Sequence, residues 1–291
     1  MHMVVTALAL RVFAKLGYFE RKSVARAEVA KFGALNSASI ALLNLSLGFN
    51  SVGFYQMTKL SIIPVTVMIQ MAHFNKKFSH RVKGSLAILL LGVGASTVTD
   101  VQLNAVGCAL GALSVLTTSL GQILTGSLQT KLGVSSTQLL CASAPWMALT
   151  LLILAPPVDA TLVGGNAAPA FARYDAGTLA VAGVTCVLAI LVNFATFAVI
   201  GKCSAVTYQV VGHLKTMLVL AFGFVVVGDP VVAANVVGLT VAFCGMVLYA
   251  KAELLDRAAA AAQVLAHHGV STKPAAAASV VTDVESNRVS A

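Results

Sequence analysis

Two lysines stand inside apolar stretches of the chain, Lys59 within SVGFYQMTKLSIIP (51–64) and Lys215 within SAVTYQVVGHLKTMLVLAFG (204–223). Read as helices, these stretches carry Lys59 roughly 12 Å and Lys215 roughly 16 Å beyond their first residues, against a hydrocarbon half-thickness of about 15 Å. Both amines are therefore expected near a bilayer midplane. Tyr55 precedes Lys59 by four residues and Tyr208 precedes Lys215 by seven, so each lysine shares its helix face with a phenol. An ammonium at the centre of a membrane helix costs about 3 kcal/mol or more, and neither stretch holds an Asp or Glu to balance it. The plain alternative is a lysine held by helix carbonyls or amides, or one snorkelling to the interface. The chemical alternative is that the counter-charge arrives with a ligand. Two converging lysines neutralise a phosphate or diphosphate, while Thr216, Gln56, Gln209, Tyr55 and Tyr208 offer hydrogen bonds. His213, Asn50 and Asn193 complete the set of polar binding candidates read from the helices.

The elements that position these groups follow from composition. Of 291 residues, 58% are apolar and 10% charged, with mean hydropathy +0.90, whereas soluble domains carry about 25% charged residues. Apolar blocks at 33–49, 51–74, 84–99, 104–128, 136–157, 176–200, 204–228 and 231–250 have bilayer-spanning length. With a shorter apolar opening at 1–16 that contains Arg11, they make about nine membrane segments. The net charge of +9 is not a nucleic-acid footprint, because it alternates by loop. Arg21, Lys22, Arg26, Lys31, then Lys76, Lys77, Arg81, Lys83, then Lys131, Lys202, Lys251 and Arg257 fall in every second loop; Asp100, Asp159, Asp175 and Asp229 fall in the others, where Arg173 is the one basic residue. The positive-inside rule puts the basic loops and the C-terminal tail in the cytosol.

Within the spans, Asn36, Asn44 and Asn50 are spaced for hydrogen bonds between helices, and Pro64 is a kink point. The span from 136 is expected to end at Pro156-Pro157, and the last span at Lys251. Residues 17–31 read as a charged connector. From 255 onward the chain reads as an amphipathic extension followed by a disordered cytosolic tail. Cys108, Cys141, Cys186, Cys203 and Cys244 show no CxxC spacing and read as small packing residues. No cofactor or metal motif is visible. A membrane-embedded enzyme would need a nucleophile-base pair or metal set, and HExxH, GxSxG and acidic clusters are missing from the sequence. A scaffold would not need two midplane lysines. With no membrane carboxylate for a proton relay, exchange of one anion for another is the transport mode that fits.

Adding 153 to Ser51, Tyr55, Gln56 and Gly92 gives Ser204, Tyr208, Gln209 and Gly245. An odd number of spans separates the copies, so they start on opposite sides of the membrane, as in inverted-repeat transporters. The division expected is an N-terminal repeat at 1–128, a C-terminal repeat at 129–252 and a tail at 253–291.

NLSLGFNSVGFYQMTKLSIIP (44–64), GVGASTVTD (92–100), SSTQLL (135–140) and VNFATFAVIGKCSAVTYQVVGHLKTMLVLAFG (192–223) together resemble the plant-type nucleotide-sugar transporters with a paired Lys-Thr. Within that group the chain is most similar to the UDP-xylose transporters, then to the UDP-rhamnose/UDP-galactose transporters; the wider kinship is with triose-phosphate translocators and the drug/metabolite transporter superfamily. The resemblance implies an all-α membrane fold of ten helices in two inverted five-helix repeats, of which about nine are present here, the first helix and most of the second being absent. It further implies a Golgi or endoplasmic-reticulum membrane, UDP-sugar entering the lumen against UMP, and a possible homodimer. Lys59 and the pair Lys215-Thr216 match the phosphate-holding positions of the translocators. The Lys-Thr pair argues against a triose phosphate, and GHLKT where GDP-mannose transporters have GALNK argues against a GDP-sugar. By the same comparison Ser143 faces the nucleotide or sugar, and Gln70 replaces a usual Glu.

Overall fold

A computed structural model describes residues 2–50, 52–97, 104–163, 175–222 and 233–267. These form helices α1 (His2–Lys15), α2 (Arg26–Phe49), α3 (Val52–His73), α4 (His80–Thr97), α5 (Ala105–Leu132), α6 (Ser136–Val163), α7 (Ala176–Lys202), α8 (Ala205–Phe222) and α9 (Ala233–His267). Among the described residues, these nine helices coincide with the nine expected segments. Five (α2, α5, α6, α7 and α9) are both long and apolar enough to cross a bilayer. The helix α1 has 14 residues and α4 and α8 have 18 each, with the expected remainder of the α8 span outside the described residues.

The helices group into two compact units. The first comprises residues 1–74 and 98–212, the second 75–97 and 213–291. In the first unit α5 is the central helix, packing on α2, α3 and α7. Short hydroxyl side chains stitch it together. Ser39 Oγ bonds Thr118 on α5, Ser46 Oγ donates to the Gly107 carbonyl at 3.3 Å, and Ser119 Oγ donates to the Ile62 carbonyl at 3.4 Å. From α2 to α6, Ser37 donates to the Met147 carbonyl at 3.0 Å. Without water, such bonds hold helices that lipid would otherwise solvate equally well. Serines thus do the work expected of the asparagines, for Asn36 and Asn50 donate to carbonyls of their own helix and Asn44 is exposed. A cluster of Leu10, Phe32, Leu128, Leu139, Leu140 and Phe197 forms the apolar centre at the basic-loop end. Cys141 belongs to it, while Cys203 and Cys244 are exposed, so packing accounts for only some of the cysteines.

Several boundaries differ from expectation: α4 starts at His80, before the expected 84, and α5 runs to Leu132, past the expected 128. The helix α2 starts at Arg26, inside the expected connector, because Val29 and Phe32 are buried and Glu28 pairs with Lys131 at 2.8 Å. The helix α6 runs past Pro156-Pro157 to Val163. The carbonyls those prolines leave without N–H partners belong to Leu152 and Ile153, which are exposed on the outer face, where the bend is tolerated. The helix α9 does not close at Lys251; it continues through 253–267, into the stretch expected as an amphipathic extension, with Glu253 and Arg257 paired one turn apart at 3.2 Å. At 35 residues it is about 52 Å long, well beyond the hydrocarbon thickness of about 30 Å. Residues 268–291, Ser51 and Asp100 lie outside the described residues.

The second unit is built on the crossing of α4 and α9. Gly92 lies against the Ala242 backbone and Gly245 against the Leu89 backbone, so closely that a Cβ on either would overlap the opposing main chain. Adding 153 to Leu89 and Gly92 gives Ala242 and Gly245. The contact is therefore self-complementary under the offset seen in the sequence, as a two-fold-related crossing would be.

Candidate functional site

Lys59 lies two turns into α3 and is partly buried. Its Nζ lies 4.3 Å from the centroid of the Tyr55 ring, one turn back. The ring face carries partial negative charge, which partly replaces the water the ammonium has lost. The ion pairs among the described residues are Glu28–Lys131 and Glu253–Arg257, and Lys59 takes part in neither. The helix α3 is held in place by α5. Phe54 and Thr58 abut Gly111, and further along Ser119 reaches the Ile62 carbonyl. Asn50 ends α2 just before this helix. Its Nδ2 donates to the Ser46 carbonyl at 3.0 Å, while its Oδ1 is buried without a partner.

One turn beyond Ser119, α5 carries Gln122, whose Oε1 accepts from Gln209 Nε2 of α8 at 2.8 Å. Next to Gln209 in sequence, Tyr208 has its Oη 3.3 Å from Thr196 Oγ1 of α7. The first unit therefore links Tyr208 and Gln209 to α7 and α5, and the same α5 seats the helix that bears Tyr55 and Lys59. Gln122 was missed in the sequence. Its signal was there: an amide enclosed by LGQIL in a span otherwise short of long polar side chains.

Other candidates do not join this group. Asn193 Nδ2 lies 3.8 Å from Met3 Sδ, a contact between α7 and α1. Ser143 is wholly buried, its hydroxyl donating to the Leu140 carbonyl of its own helix at 3.4 Å, with its backbone oxygen facing Gly33 of α2. In the second unit His213 is buried and Lys215 exposed on α8. Lys59 is thus partly shielded and Lys215 is exposed. The side chains of Gln56 and Thr216 lie outside the described residues.

Two groups outside the spans have shifted acidities. Burial pushes the Lys76 ammonium, in the loop before α4, below its ordinary range, while Glu253 on α9 opposes that and Arg257 reinforces it. Asp175 accepts from the Thr178 hydroxyl and N–H at the start of α7, which holds its carboxyl below the usual carboxylate range. Among the described residues no cluster of His, Cys, Asp and Glu is arranged to hold a metal.

The chain matches the family described as "Triose-phosphate Transporter family" over residues 1–250. It is 50% identical to "UDP-xylose transporter 1" of Arabidopsis thaliana over 85% of this chain and 72% of that protein, and 51% identical to "UDP-xylose transporter 3" over 85% and 69%. It is 39% identical to "UDP-rhamnose/UDP-galactose transporter 1" of the same organism over 88% of this chain and 73% of the relative. The matched region takes in α1 to α8 and about half of α9, with Lys59, Lys215 and Gln122 inside it. The chain therefore belongs to the Triose-phosphate Transporter family, multi-pass membrane carriers of the drug/metabolite transporter fold and not enzymes.

Proposed function

We propose that this chain carries UDP-xylose into the Golgi or endoplasmic-reticulum lumen in exchange for UMP. The observation that carries the proposal is the identity of about half of the aligned residues, which span 85% of the chain, with three UDP-xylose transporters. The site chemistry agrees with an anionic solute. Lys59 holds its charge two turns into α3 against a ring face and outside the ion pairs of the first unit, so an incoming diphosphate supplies the charge it lacks. Tyr208, Gln209 and Gln122 supply uncharged hydrogen bonds to the rest of the ligand. Lys215 with Thr216 is the second phosphate-holding pair in this proposal, and 1–128 and 129–252 are the inverted repeats that supply one lysine each. The basic loops, and with them the C-terminal end, face the cytosol.

The experiment is counter-exchange in proteoliposomes loaded with UMP and offered UDP-xylose, UDP-galactose, UDP-rhamnose and GDP-mannose. UDP-xylose is expected to exchange fastest, and Lys59→Ala and Lys215→Ala to reduce uptake at least about tenfold, the loss of one charge-assisted contact. Uptake unchanged in both variants would remove the lysines from the mechanism. A higher rate for UDP-galactose would move the substrate to that of the 39% identical relatives.

A further inference from the structure

Beyond Lys59, α3 carries two more polar side chains on the same face. Thr66 is seven residues on and Gln70 eleven, so all three align along the helix, about 10 Å and about 16 Å from Lys59. Thr66 is wholly buried and Gln70 is 7% exposed. Neither Thr66 Oγ1 nor Gln70 Oε1 has a hydrogen-bond partner. Exchanging the two ends of the Gln70 amide would put an N–H in the unpartnered position instead of a carbonyl.

Thr66 departs from the commonest pattern among the described helical threonines. Thr6, Thr58, Thr117, Thr125, Thr150 and Thr196 each donate to the carbonyl four residues back. For Thr66 that carbonyl is Ile62, which instead accepts from Ser119 of α5. Each unpartnered buried polar group costs on the order of 1–3 kcal/mol. Two on one helix turn, in line with the phosphate-binding candidate, mark a surface that another state of the molecule satisfies. Pro64 lies between Lys59 and the pair and removes the N–H that would bond the Leu60 carbonyl, leaving α3 able to bend there.

We propose that Thr66 and Gln70 form a hydroxyl-recognising subsite on the Lys59 face of α3, closed in this conformation and opened by bending at Pro64 when a nucleotide sugar is bound. The inference rests on the nucleotide-sugar function proposed above. The chemistry selects the ligand portion: an uncharged hydroxyl and an amide suit neutral groups that both donate and accept, which are sugar hydroxyls. A phosphate has no proton to offer a carbonyl acceptor. Either the transported sugar or the ribose supplies such hydroxyls.

The test uses the full chain in proteoliposomes with Thr66→Val and Gln70→Met, which keep volume and remove the polar atoms, and measures UDP-xylose and UMP binding alongside thermal stability. Affinity for UDP-xylose is expected to fall about tenfold per variant, with UMP binding unchanged and stability equal or higher. Equal loss for UDP-xylose and UMP would keep the subsite and assign it to the ribose. Unchanged affinity for both ligands, with increased stability, would overturn the proposal and leave the pair as packing defects. Lys59→Ala reports separately: if it changes neither ligand, the phosphate assignment fails whatever the Thr66 and Gln70 variants do.

Discussion

Gly92→Ala in α4 should destabilise the second unit, whereas Gly94→Ala two residues on should not. A Cβ at Gly92 would stand 2.2 Å from the Ala242 nitrogen and 2.7 Å from its Cα, both main-chain atoms, where ordinary contact begins at 3.4 Å. No rotamer relieves this, so α4 and α9 must part by roughly 1.2 Å at their crossing. Overpacking of this kind costs about 1–3 kcal/mol, against up to about 1 kcal/mol gained from the better helix propensity of alanine. The net loss is about 1–2 kcal/mol. At Gly94 nothing lies within 4 Å of the added carbon, so only the gain remains. Gly245→Ala meets the Leu89 nitrogen at 2.4 Å and should cost about as much as Gly92→Ala. Because both wedge open one crossing, the double variant should lose less than the sum, by about 0.5 kcal/mol or more. Thermal unfolding of the full chain in detergent measures all four variants. Equal stability of Gly92→Ala and Gly94→Ala, or strict additivity of the glycine pair, would refute the self-complementary crossing.

Gln122→Leu should leave the Gln209 amide without its partner, costing about 1–3 kcal/mol in the same unfolding assay and lowering counter-exchange. Ser37→Ala removes the bond to the Met147 carbonyl between α2 and α6 and should cost about 1 kcal/mol. Gly133, the left-handed residue (φ 56°) that ends α5, should cost about 1–2 kcal/mol when replaced by Ala. Because Asp175 has a lowered folded pKa, its cap on α7 should be fully present above the ordinary carboxylate pKa of about 3.9 and lost as pH falls through the lower folded value. Amide exchange at Thr178 should therefore accelerate in that acid window, and Asp175→Asn should flatten the change.

The site was legible where chemistry is unusual for its surroundings. A lysine in an apolar run with a tyrosine one turn earlier announces itself, and the structure sets the Lys59 ammonium over the Tyr55 ring. Gln122 was less legible because its role depends on Gln209, 87 residues away. Ser143, suggested by resemblance alone, turns its hydroxyl back into its own helix. Thr66 carried no signal at all, since threonine in a helix ordinarily satisfies itself locally. Only the occupation of the Ile62 carbonyl by Ser119 distinguishes it. Helix ends were misjudged where charge or proline suggested a stop. Tertiary packing keeps Val29 in α2, and α6 runs through two prolines where Leu152 and Ile153, one turn before them, are exposed.

By itself the sequence determined the number and order of apolar segments, the alternation of basic loops, and the spacing that aligns tyrosine with lysine, because each is a property of one helix or loop against its solvent. The tertiary structure decided which helices touch and which polar atoms find partners: serines rather than asparagines as cross-links, α5 as the hub, and the glycine crossing of α4 with α9. Helix-to-helix contact in a membrane turns on close approach and single hydrogen bonds, and hydropathy carries no record of either.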